Sequence, residues 1–562
     1  MKLPIITKLL QRRERRRLRC IMRGYQYLKT TNQLGKIKIV KEFITNTRLS
    51  QCDRRMSEFI FGAGLKDAEL IIRQYLLTRV GRMSFNQALL YALGRHNADV
   101  VHPLPSEWRE VLRQQGFKVA EVRSALMWNA YVILFLAYGM VKITRQLVSS
   151  INEIILIRHE SLGRYAYFDS LISGNLPQPN KDGRSHDIIT WYQQWAGRID
   201  GLNALCHSVR GAASRPVQGV PVVPVSSAIP PLPKIAALVR FIGWSVAAST
   251  VAIFDILRGR WWHALMLGEA SYSATIRAHT PNNLARDYLF HNSNWIYRPL
   301  WTYEAEKHGS RIIFYFYSLH DDGFMRPGVY LPQLEGWQTM NWPRYLVWDE
   351  YQENLVRLGA GNSANITIVG PIWFHTSKEQ LKELPLKTFA VFDVQPVRDS
   401  LYQILGHGFE YYTTRPTIRF VSDIHKVLNQ YNGTIALKRK REIGNQVHPQ
   451  YQLFIARLEK LTNTIALNPD ISATRLIENC IAAISFPFTS TALIARQLGK
   501  PSIYFDPLGI IQKNDRGAHG IKVVSNIEEL REWVESVLNA AEIGSMEEPL
   551  ETITCIQSAI KT

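Results

Sequence analysis

The sequence predicts an α/β fold in which two Rossmann-like domains face a cleft and a helical N-terminal extension precedes them. From about residue 270 onward, short apolar β-rich segments alternate with helical segments, the pattern of parallel, doubly wound sheets. This alternation occurs in two rounds, 270–375 and 388–540. Before residue 160 the apolar spacing is helical, with few strand-like runs.

The predicted elements follow one another in chain order. The strand YAYF begins the first domain, and each later strand is a short apolar run bounded by turn residues. In the first round DYLFHN, RIIFYFYS, RYLVWD and ITIVGP are strands, and PLWTYEAEKHG and ENLVRLG are helices. In the second round the strands are KTFAVFDVQPV, TIALKRKRE, CIAAISFP and PSIYFDP, and the helices are VSDIHKVLNQYNG, PQYQLFIARLEKL, STALIARQLG and NIEELREWVESVLNAAE.

We predict three regions: a basic helical region over 1–160, an N-terminal Rossmann-like domain over 161–375 and a C-terminal one over 388–540. A proline-rich insert at 212–234 interrupts the first domain. Because proline lacks an amide donor and restricts φ, we expect an extended linker or surface loop there.

The charge balance favours anionic partners. The chain has a formal net charge of +20 and a pI near 9.7. Seven arginines lie close together in LLQRRERRRLRCIMR, between Arg12 and Arg23. This segment is either a solvated basic helix or a contact with the anionic face of a membrane, where each basic residue contributes about 1 kcal/mol. Nucleic acid is the weaker expectation, since no zinc-finger or RNP-like signature is present.

The cysteines and the N-terminus indicate a cytoplasmic protein. The five cysteines are scattered and include no CxxC pair, which argues against a disulfide framework and a structural zinc site. No apolar segment of the secretory type precedes the arginines. Two uncharged segments, 125–141 and 241–254, are shorter than the ~20 residues that span a bilayer. We expect buried core helices there, with an interfacial or re-entrant membrane contact as the alternative.

The stretch SFPFTSTALIARQLGKPSIYFDP combines a strand end with three consecutive hydroxyl residues. Pro487 ends the strand, and Thr489, Ser490 and Thr491 fall at the N-cap and first turn of the next helix. One hydroxyl is enough to cap a helix. Three hydroxyls beside unpaired amides at the carboxyl end of a strand form a site of phosphate size, so we predict an anion site here.

This stretch resembles the bacterial surface-polysaccharide biosynthesis proteins named for a PFTS motif. The motif occurs literally, and RPLWTYEAEKHG, YLVWDEYQENL, IVGPIWF, VFDVQPV and ALKRKRE are also similar. The resemblance covers about 165–507. It implies a glycosyltransferase of the two-Rossmann kind (GT-B) acting on capsule or lipopolysaccharide glycans. It also implies an acceptor-side N-terminal domain and a C-terminal domain that binds the nucleotide-sugar.

A wider similarity, to GT-B sialyltransferases and Kdo-type transferases, indicates the class of donor, because these enzymes use CMP-sugars. Their acidic pair with glycine, His-Pro and Ser/Thr pair correspond in order to Asp321-Asp322-Gly323, His448-Pro449 and Ser490-Thr491. The similarity implies a CMP-activated acidic sugar, such as a nonulosonic acid or a Kdo-like sugar, as donor and no other cofactor. His448 would protonate the leaving phosphate, with helix capping as the alternative.

Charged residues complete the predicted site. The strand end IALKRKRE offers Lys438, Lys440 and Arg441 to a phosphate or an acidic sugar, with a solvated edge as the alternative. Asp322 is the first candidate for the general base, with Asp321 and Glu304 as rivals and a solvent-exposed turn or a charged helix face as the alternatives. Asp506 is expected to bind ribose or to order the turn before Pro507. No DxD motif flanks a strand, so no metal is expected.

The sequence thus predicts a cytoplasmic transferase, peripheral at the inner membrane through its basic helix. It would move a sugar from a nucleotide donor to a glycan or lipid-linked glycan. A CDP-polyol phosphotransferase would also place hydroxyls at such a turn. A polysaccharide-assembly protein that keeps the fold without catalysis is the non-enzymatic alternative.

Overall fold

The computed structural model describes residues 4–46, 54–62, 85–95, 99–155, 163–177, 187–193, 200–211, 214–293, 295, 297–319, 325, 330, 340–372, 381–394, 396, 411–439, 447–468 and 471–544. Helices account for most of the described residues before residue 160. They are α1 Pro4–Thr30, α2 Lys36–Asn46, α3 Arg54–Phe61, α4 Phe85–Arg95, α5 Ser106–Gln114 and α6 Glu121–Ile155.

The first sheet has seven parallel strands in the order β3-β2-β1-β4-β5-β6-β7. Its strands are β1 Tyr165–Phe168, β2 Ala204–His207, β3 Val222–Pro224, β4 Asp287–His291, β5 Arg311–Tyr315, β6 Tyr345–Val347 and β7 Ile366–Ile368. The helices along this part of the chain are α7 Ile188–Trp191, α8 Ile235–Leu257, α9 Trp262–Ala278, α10 Thr302–Lys307 and α11 Glu350–Ala360.

The second sheet has six parallel strands in the order β10-β9-β8-β11-β12-β13. Its strands are β8 Thr388–Phe392, β9 Thr434–Lys438, β10 Thr464–Leu467, β11 Ala482–Ser485, β12 Ser502–Phe505 and β13 Lys522–Val524. Its helices are α12 Thr414–Gln430, α13 Pro449–Leu458, α14 Ala473–Glu478, α15 Ser490–Gln497 and α16 Ile527–Gly544.

Both sheets have the Rossmann strand order. In each of them the chain builds three strands outward in one direction, returns to the centre and then builds in the other direction. The predicted fold class is confirmed: two Rossmann-like domains with a helical N-terminal part. The order reverses between β1 and β4 in the first sheet and between β8 and β11 in the second, and ligands of such sheets bind at these switch points.

Contacts between the two domains come from the carboxyl ends of their strands. Asp349, which follows β6, places its Oδ2 2.6 Å from Nδ1 of His519, in the loop between β12 and β13. In the same loop Asp515 accepts hydrogen bonds from the Met325 amide and the Tyr330 hydroxyl. The carboxyl edges of the two sheets therefore face each other here, as a cleft between Rossmann-like domains requires.

The proline-rich insert differs from its prediction as a linker. Val222–Pro224 forms β3, which pairs in parallel with β2. This strand lies at the edge of the sheet, where a missing proline amide costs no ladder hydrogen bond on the solvent side. The insert therefore extends the first sheet by one strand.

The two apolar segments lie in α6 and α8, and the expectation of buried core helices is wrong for their outer faces. Both helices are long and apolar enough to cross a membrane by length and composition. Only 22% and 28% of their most apolar windows are buried. Hydropathy along the sequence did not reveal this, because the same composition suits a core helix and a helix with an exposed apolar face.

Candidate functional site

The β8–β11 switch point carries the stretch that the sequence singled out. Asp393 follows β8, and Phe486 follows β11 and donates its amide to the carbonyl of Phe392, the last residue of β8. The PFTS residues then lead into α15, so the start of this helix lies at the carboxyl edge of the sheet. The amides of a first helical turn have no acceptor within their own helix and are available to an anion.

The PFTS turn depends on an unusual backbone conformation. Phe488 has a φ of +61°, which is uncommon for a bulky residue and requires support from its surroundings. Its ring packs directly against Gly517, and the hydroxyl of Tyr504 donates to the carbonyl of Thr489 at 2.7 Å. Part of the motif therefore builds the turn and is not available to a ligand.

The three hydroxyls have different roles. Thr489 donates to the Phe486 carbonyl at 2.8 Å, and Thr491 Oγ1 lies 2.8 Å from Ser485 Oγ and 3.2 Å from Thr489 Oγ1. These two hydroxyls close a local network. Ser490 is half-buried, and its hydroxyl forms no hydrogen bond with the residues that the structure describes. Ser490 is therefore the hydroxyl of this turn best placed for a ligand.

A cavity of about 480 Å³ lies at the starts of α12, the helix that follows β8, and α13, the helix that follows β9. Thr414 is 7% exposed, and its buried hydroxyl oxygen has no hydrogen-bond partner within the described part of the chain. His448 is the N-cap of α13 and accepts the Gln450 amide at Nδ1, 3.2 Å away. The cavity is lined by Thr413, Thr414, Arg415, Ile418, Arg419, His448 and Gln450.

His448 thus has the capping role considered for it, and it also lines a basic cavity; its role as a proton donor to a leaving phosphate stays a prediction. The threonine pair before α12 was missed because the predicted helix was begun at Val421. Two hydroxyl residues directly before an apolar-periodic segment are an N-cap signature that could have located the true start. Tyr412, beside this pair, donates its hydroxyl to the Pro487 carbonyl at 3.3 Å, which joins the start of α12 to the PFTS turn.

The basic strand end is only partly within the described residues. Lys438 is the half-buried last residue of β9, whereas Lys440 and Arg441 lie outside the described residues. Arg439 lies 3.7 Å from Glu459. Buried Asp393, on the neighbouring strand, accepts a hydrogen bond from Tyr451, and burial raises its pKa to about 7 although Arg439 and Lys438 act in the opposite direction.

Asp506 orders the turn at Pro507, which is the structural one of the two roles considered for it. It is fully buried, and its Oδ1 accepts hydrogen bonds from the Tyr411 hydroxyl and the Leu508 amide. Its Oδ2 accepts the amides of Ile510 and Ile511, both at 2.7 Å. Because both oxygens are engaged by the turn, Asp506 is not available to a ribose.

The carboxylate of Glu304 is engaged in a structural cluster and is therefore not available as a general base. Its side chain is 4% exposed and forms ion pairs of 3.2 Å with Arg277 and Lys307. Those two cations also donate to the carbonyls of Ile60 and Phe61, so the cluster attaches α3 to α10. The other two candidates, Asp321 and Asp322, lie outside the described residues.

The switch point of the first sheet carries a histidine that the sequence reasoning missed. His291 ends β4 and is 4% exposed. Burial lowers its pKa, while a hydrogen bond with the backbone of Ser170 and the charge of Asp169, which follows the adjacent strand β1, act in the opposite direction. A histidine at the end of the predicted strand DYLFHN was the only sequence signal.

Two further observations concern cofactors and cavities. Among the described residues, no group of three side chains is arranged to hold a metal ion. A larger cavity, about 710 Å³, is lined mainly by α3, α8 and the start of α9. It belongs to the helical region and includes no residue from the strand ends of the second sheet.

The comparison with solved structures gives only distant likenesses. The glycotransferase of kitacinnamycin is 12% identical, with 68% of this chain and 93% of that chain covered and a TM-score of 0.32. CalG4, the calicheamicin glycosyltransferase, is 10% identical, with 67% and 90% covered and a TM-score of 0.30. Values this low carry no argument, so the fold assignment rests on the two sheets themselves. No curated protein matches the chain in sequence.

The family comparison is decisive. The description "Polysaccharide biosynthesis PFTS motif protein" matches residues 244–534, which is just over half of the chain. The matched range begins within α8 and includes β4–β13, the PFTS turn and the cavity at His448. The chain therefore belongs to the polysaccharide biosynthesis PFTS motif family.

Proposed function

We propose that this protein is a glycosyltransferase that moves a sugar from a nucleotide donor to a glycan or lipid-linked glycan of the cell surface, capsule or lipopolysaccharide. The observation that carries the proposal is the buried, unpartnered hydroxyl of Thr414 in a cavity with Arg415, Arg419 and His448. A buried hydroxyl without a partner costs free energy, so its natural partner is a ligand oxygen. Membership of the polysaccharide biosynthesis PFTS motif family supports a ligand that takes part in polysaccharide synthesis.

The donor that we propose is a CMP-activated acidic sugar, which carries one phosphoryl group and one carboxylate. Two anion sites lie beside each other at the carboxyl edge of the sheet. One is the start of α15 with Ser490, and the other is the cavity at the starts of α12 and α13. Helix N-termini and preorganised donors stabilise the charge that grows on the leaving phosphate. Lys438 ends β9, the neighbour of β8 that leads toward α13, and adds a positive charge at this edge of the sheet.

The general base is proposed from two sources. Asp322, with Asp321 as its neighbour, remains the carboxylate candidate after the exclusion of Glu304. His291 is the alternative from the geometry, because its ring ends β4 at the switch point of the acceptor-side domain and burial lowers its pKa, which favours the neutral form that a base needs. We further propose transfer without a metal ion, in the cytoplasm, with the exposed arginines of α1 contacting the inner membrane.

Nucleotide binding tests the donor site. CMP, CDP, UDP, GDP and dTDP are compared by calorimetry, and CMP is expected to bind most tightly. Thr414→Val and Ser490→Ala should each weaken CMP binding about tenfold, since each loses one hydrogen bond to a charged group. Thr417→Val is the matched control, because its hydroxyl donates to the Thr413 carbonyl one turn further along α12. Equal affinity in all variants would refute the site.

Turnover assays separate the alternatives. A sugar transferase consumes CMP-sugar and leaves a glycosidic linkage, whereas a CDP-polyol phosphotransferase consumes CDP-polyol and leaves a phosphodiester. A non-catalytic assembly protein binds CMP but releases none from either donor when acceptor is present. Asp322→Asn and His291→Gln, compared by kcat, then identify the base, since loss of a general base lowers the rate by about 10²–10⁴-fold.

A further inference from the structure

Helices α6 and α8 expose apolar side chains along one side of the helical region. Leu134 and Val246, near the middle of the two helices, are 67% and 63% exposed. No exposed residue is charged between Leu126 and Val141 or between Ile242 and Leu257. The large exposed side chains in these stretches are Leu126, Met127, Ile133, Leu134, Tyr138, Val141, Ile242, Val246, Val251, Ile253, Phe254 and Leu257. We call this surface the α6–α8 face.

The inner sides of the same helices carry the polar groups. Lys142 is buried and paired with Glu269 of α9 at 3.0 Å, and Asp255 is paired with His263. Gln146 donates to the Pro230 carbonyl, and Ser150 and Ser245 donate to carbonyls one turn earlier. These polar groups lie among buried apolar side chains such as Trp128, Ile143 and Phe241, so the helices are apolar on their outer sides as well as inside. An apolar outer side beside buried charges is the reverse of the usual arrangement in water. An apolar medium outside the helices accounts for both observations.

Basic residues mark both ends of the face. Trp128 of α6 contacts Trp261 after α8, and Ser150 of α6 accepts the amide of Leu232 before α8, so the helices run antiparallel. One end of the face therefore carries Arg123, Arg258 and Arg260, and the other carries Arg145, Arg240 and Lys234; all six are exposed. Exposed cations at both ends complement the anionic headgroups that surround an inserted apolar surface.

The packing of α9 determines how such a surface meets a bilayer. One side of α9 packs against α6 and α8, and other sides pack against α3 and α10. A membrane-spanning orientation would carry these helices and the adjoining first sheet into the hydrocarbon. With the helices parallel to the membrane, only the α6–α8 face enters, to a depth of about 5–10 Å.

We propose that the α6–α8 face inserts into one leaflet of an anionic bilayer, with both helices parallel to the membrane surface. This goes beyond the proposed function, in which the membrane contact was the basic helix α1. It also does not depend on sugar transfer. A face of this kind would hold the protein at the membrane after salt has screened the arginines, because insertion depends on apolar area.

Vesicle flotation of the full chain tests the proposal. Vesicles of phosphatidylethanolamine and phosphatidylglycerol are mixed with protein and floated at 0.1 M and 1 M NaCl. The parent should float at both salt concentrations. The double variant Leu134→Glu/Val246→Glu should float at least tenfold less at 1 M NaCl. Leu358→Glu, at an exposed leucine of α11 (55%), is the matched control and should behave as the parent. Thermal unfolding and CMP binding of each variant show that the chain is folded.

The remaining outcomes would overturn the inference. Flotation of the double variant equal to that of the parent would do so, as would flotation that is lost at 1 M NaCl. Loss of flotation only after Arg12, Arg13, Arg15 and Arg16 are changed to glutamine would assign the membrane to α1 instead. A parent that self-associates without lipid and becomes monomeric in the double variant would show that a second copy covers the face. A failure of the transferase assays would leave each of these results unchanged.

Discussion

Phe488 holds a left-handed backbone conformation at the centre of the PFTS turn, and Gly517 makes room for its ring. A Cβ on Gly517 would lie 2.9 Å from the Phe488 ring, closer than such atoms approach in proteins. The ring is held by Tyr504 on its other side, at 5.9 Å between centroids. The shape of the proposed anion site at α15 therefore depends on a glycine that lies behind the Phe488 ring.

We expect Gly517→Ala to lower the free energy of unfolding by about 1–3 kcal/mol, the usual cost of overpacking. CMP affinity should fall with it, because Phe488 must move and the start of α15 moves too. Urea unfolding and calorimetry measure the two effects. Gly35→Ala, where the added Cβ has no neighbour within 4 Å, is the control. Unchanged CMP affinity in Gly517→Ala would mean that the turn does not shape the site.

Single residues also show what could not be read from the sequence. Thr489, Ser490 and Thr491 were identified correctly as a hydroxyl cluster at a helix start. Which hydroxyl is engaged by Ser485 or by the Phe486 carbonyl is a tertiary property. Asp506 and Glu304 illustrate the same limit. The sequence does not distinguish a carboxylate that is held by backbone amides or by neighbouring cations from one that is exposed in a cleft.

At the scale of elements, the alternation of strands and helices was enough to predict both parallel sheets. Strands buried on both faces read as short apolar runs, and helices have a different period. The apolar periodicity did not predict that α6 and α8 expose apolar faces. Their inner polar residues, such as Lys142, lie on one face only in three dimensions, and the partner Glu269 is more than a hundred residues away.

The Lys142–Glu269 pair joins α6 to α9, and we expect it to be costly to break and nearly neutral to replace. Lys142→Met or Glu269→Leu alone should lower the free energy of unfolding by about 3–5 kcal/mol, because each removes one partner of a buried ion pair and leaves the other charge buried without it. The double variant should recover most of that loss. Urea unfolding monitored by helix content measures it. Lys387→Met breaks an exposed pair with Glu542 and should cost about 0–1 kcal/mol. A double variant no better than the singles would contradict this account.

At the scale of the whole molecule, the two Rossmann-like domains and the helical region meet at separate places. His519 and Asp515 join the domains near the carboxyl ends of the strands, whereas Glu304 joins α10 to α3. The α6–α8 face lies in the helical region, at a different set of elements. The proposed membrane contact and the proposed donor site therefore lie on different elements, so one does not cover the other.

Buried histidines make the stability of this assembly depend on pH. His279, at the end of α9, donates Nε2–H to the Pro230 carbonyl, and its buried Nδ1 has no partner within the described residues. Burial lowers its pKa to about 4. Burial also lowers the pKa of His102 to about 4. Between pH 6.5 and 4 the unfolded chain protonates these histidines more readily than the folded protein does. The free energy of unfolding is therefore highest above pH 6.5 and falls as the pH falls toward 4.

We therefore expect the urea midpoint to fall between pH 6.5 and 4.5, and the fall to be smaller in His279→Gln, which has no ring to protonate. The effect of one such histidine on the free energy of unfolding is at most about 3 kcal/mol.

Asp393→Asn is the control with the opposite pH dependence. The pKa of Asp393 is raised to about 7, so its contribution is present below pH 3.8 and is lost as the pH rises through 7. This variant should gain stability over the parent at pH 8 and little at pH 4. If His279→Gln had the same acid dependence as the parent, the buried ring would not be what makes the fold sensitive to acid.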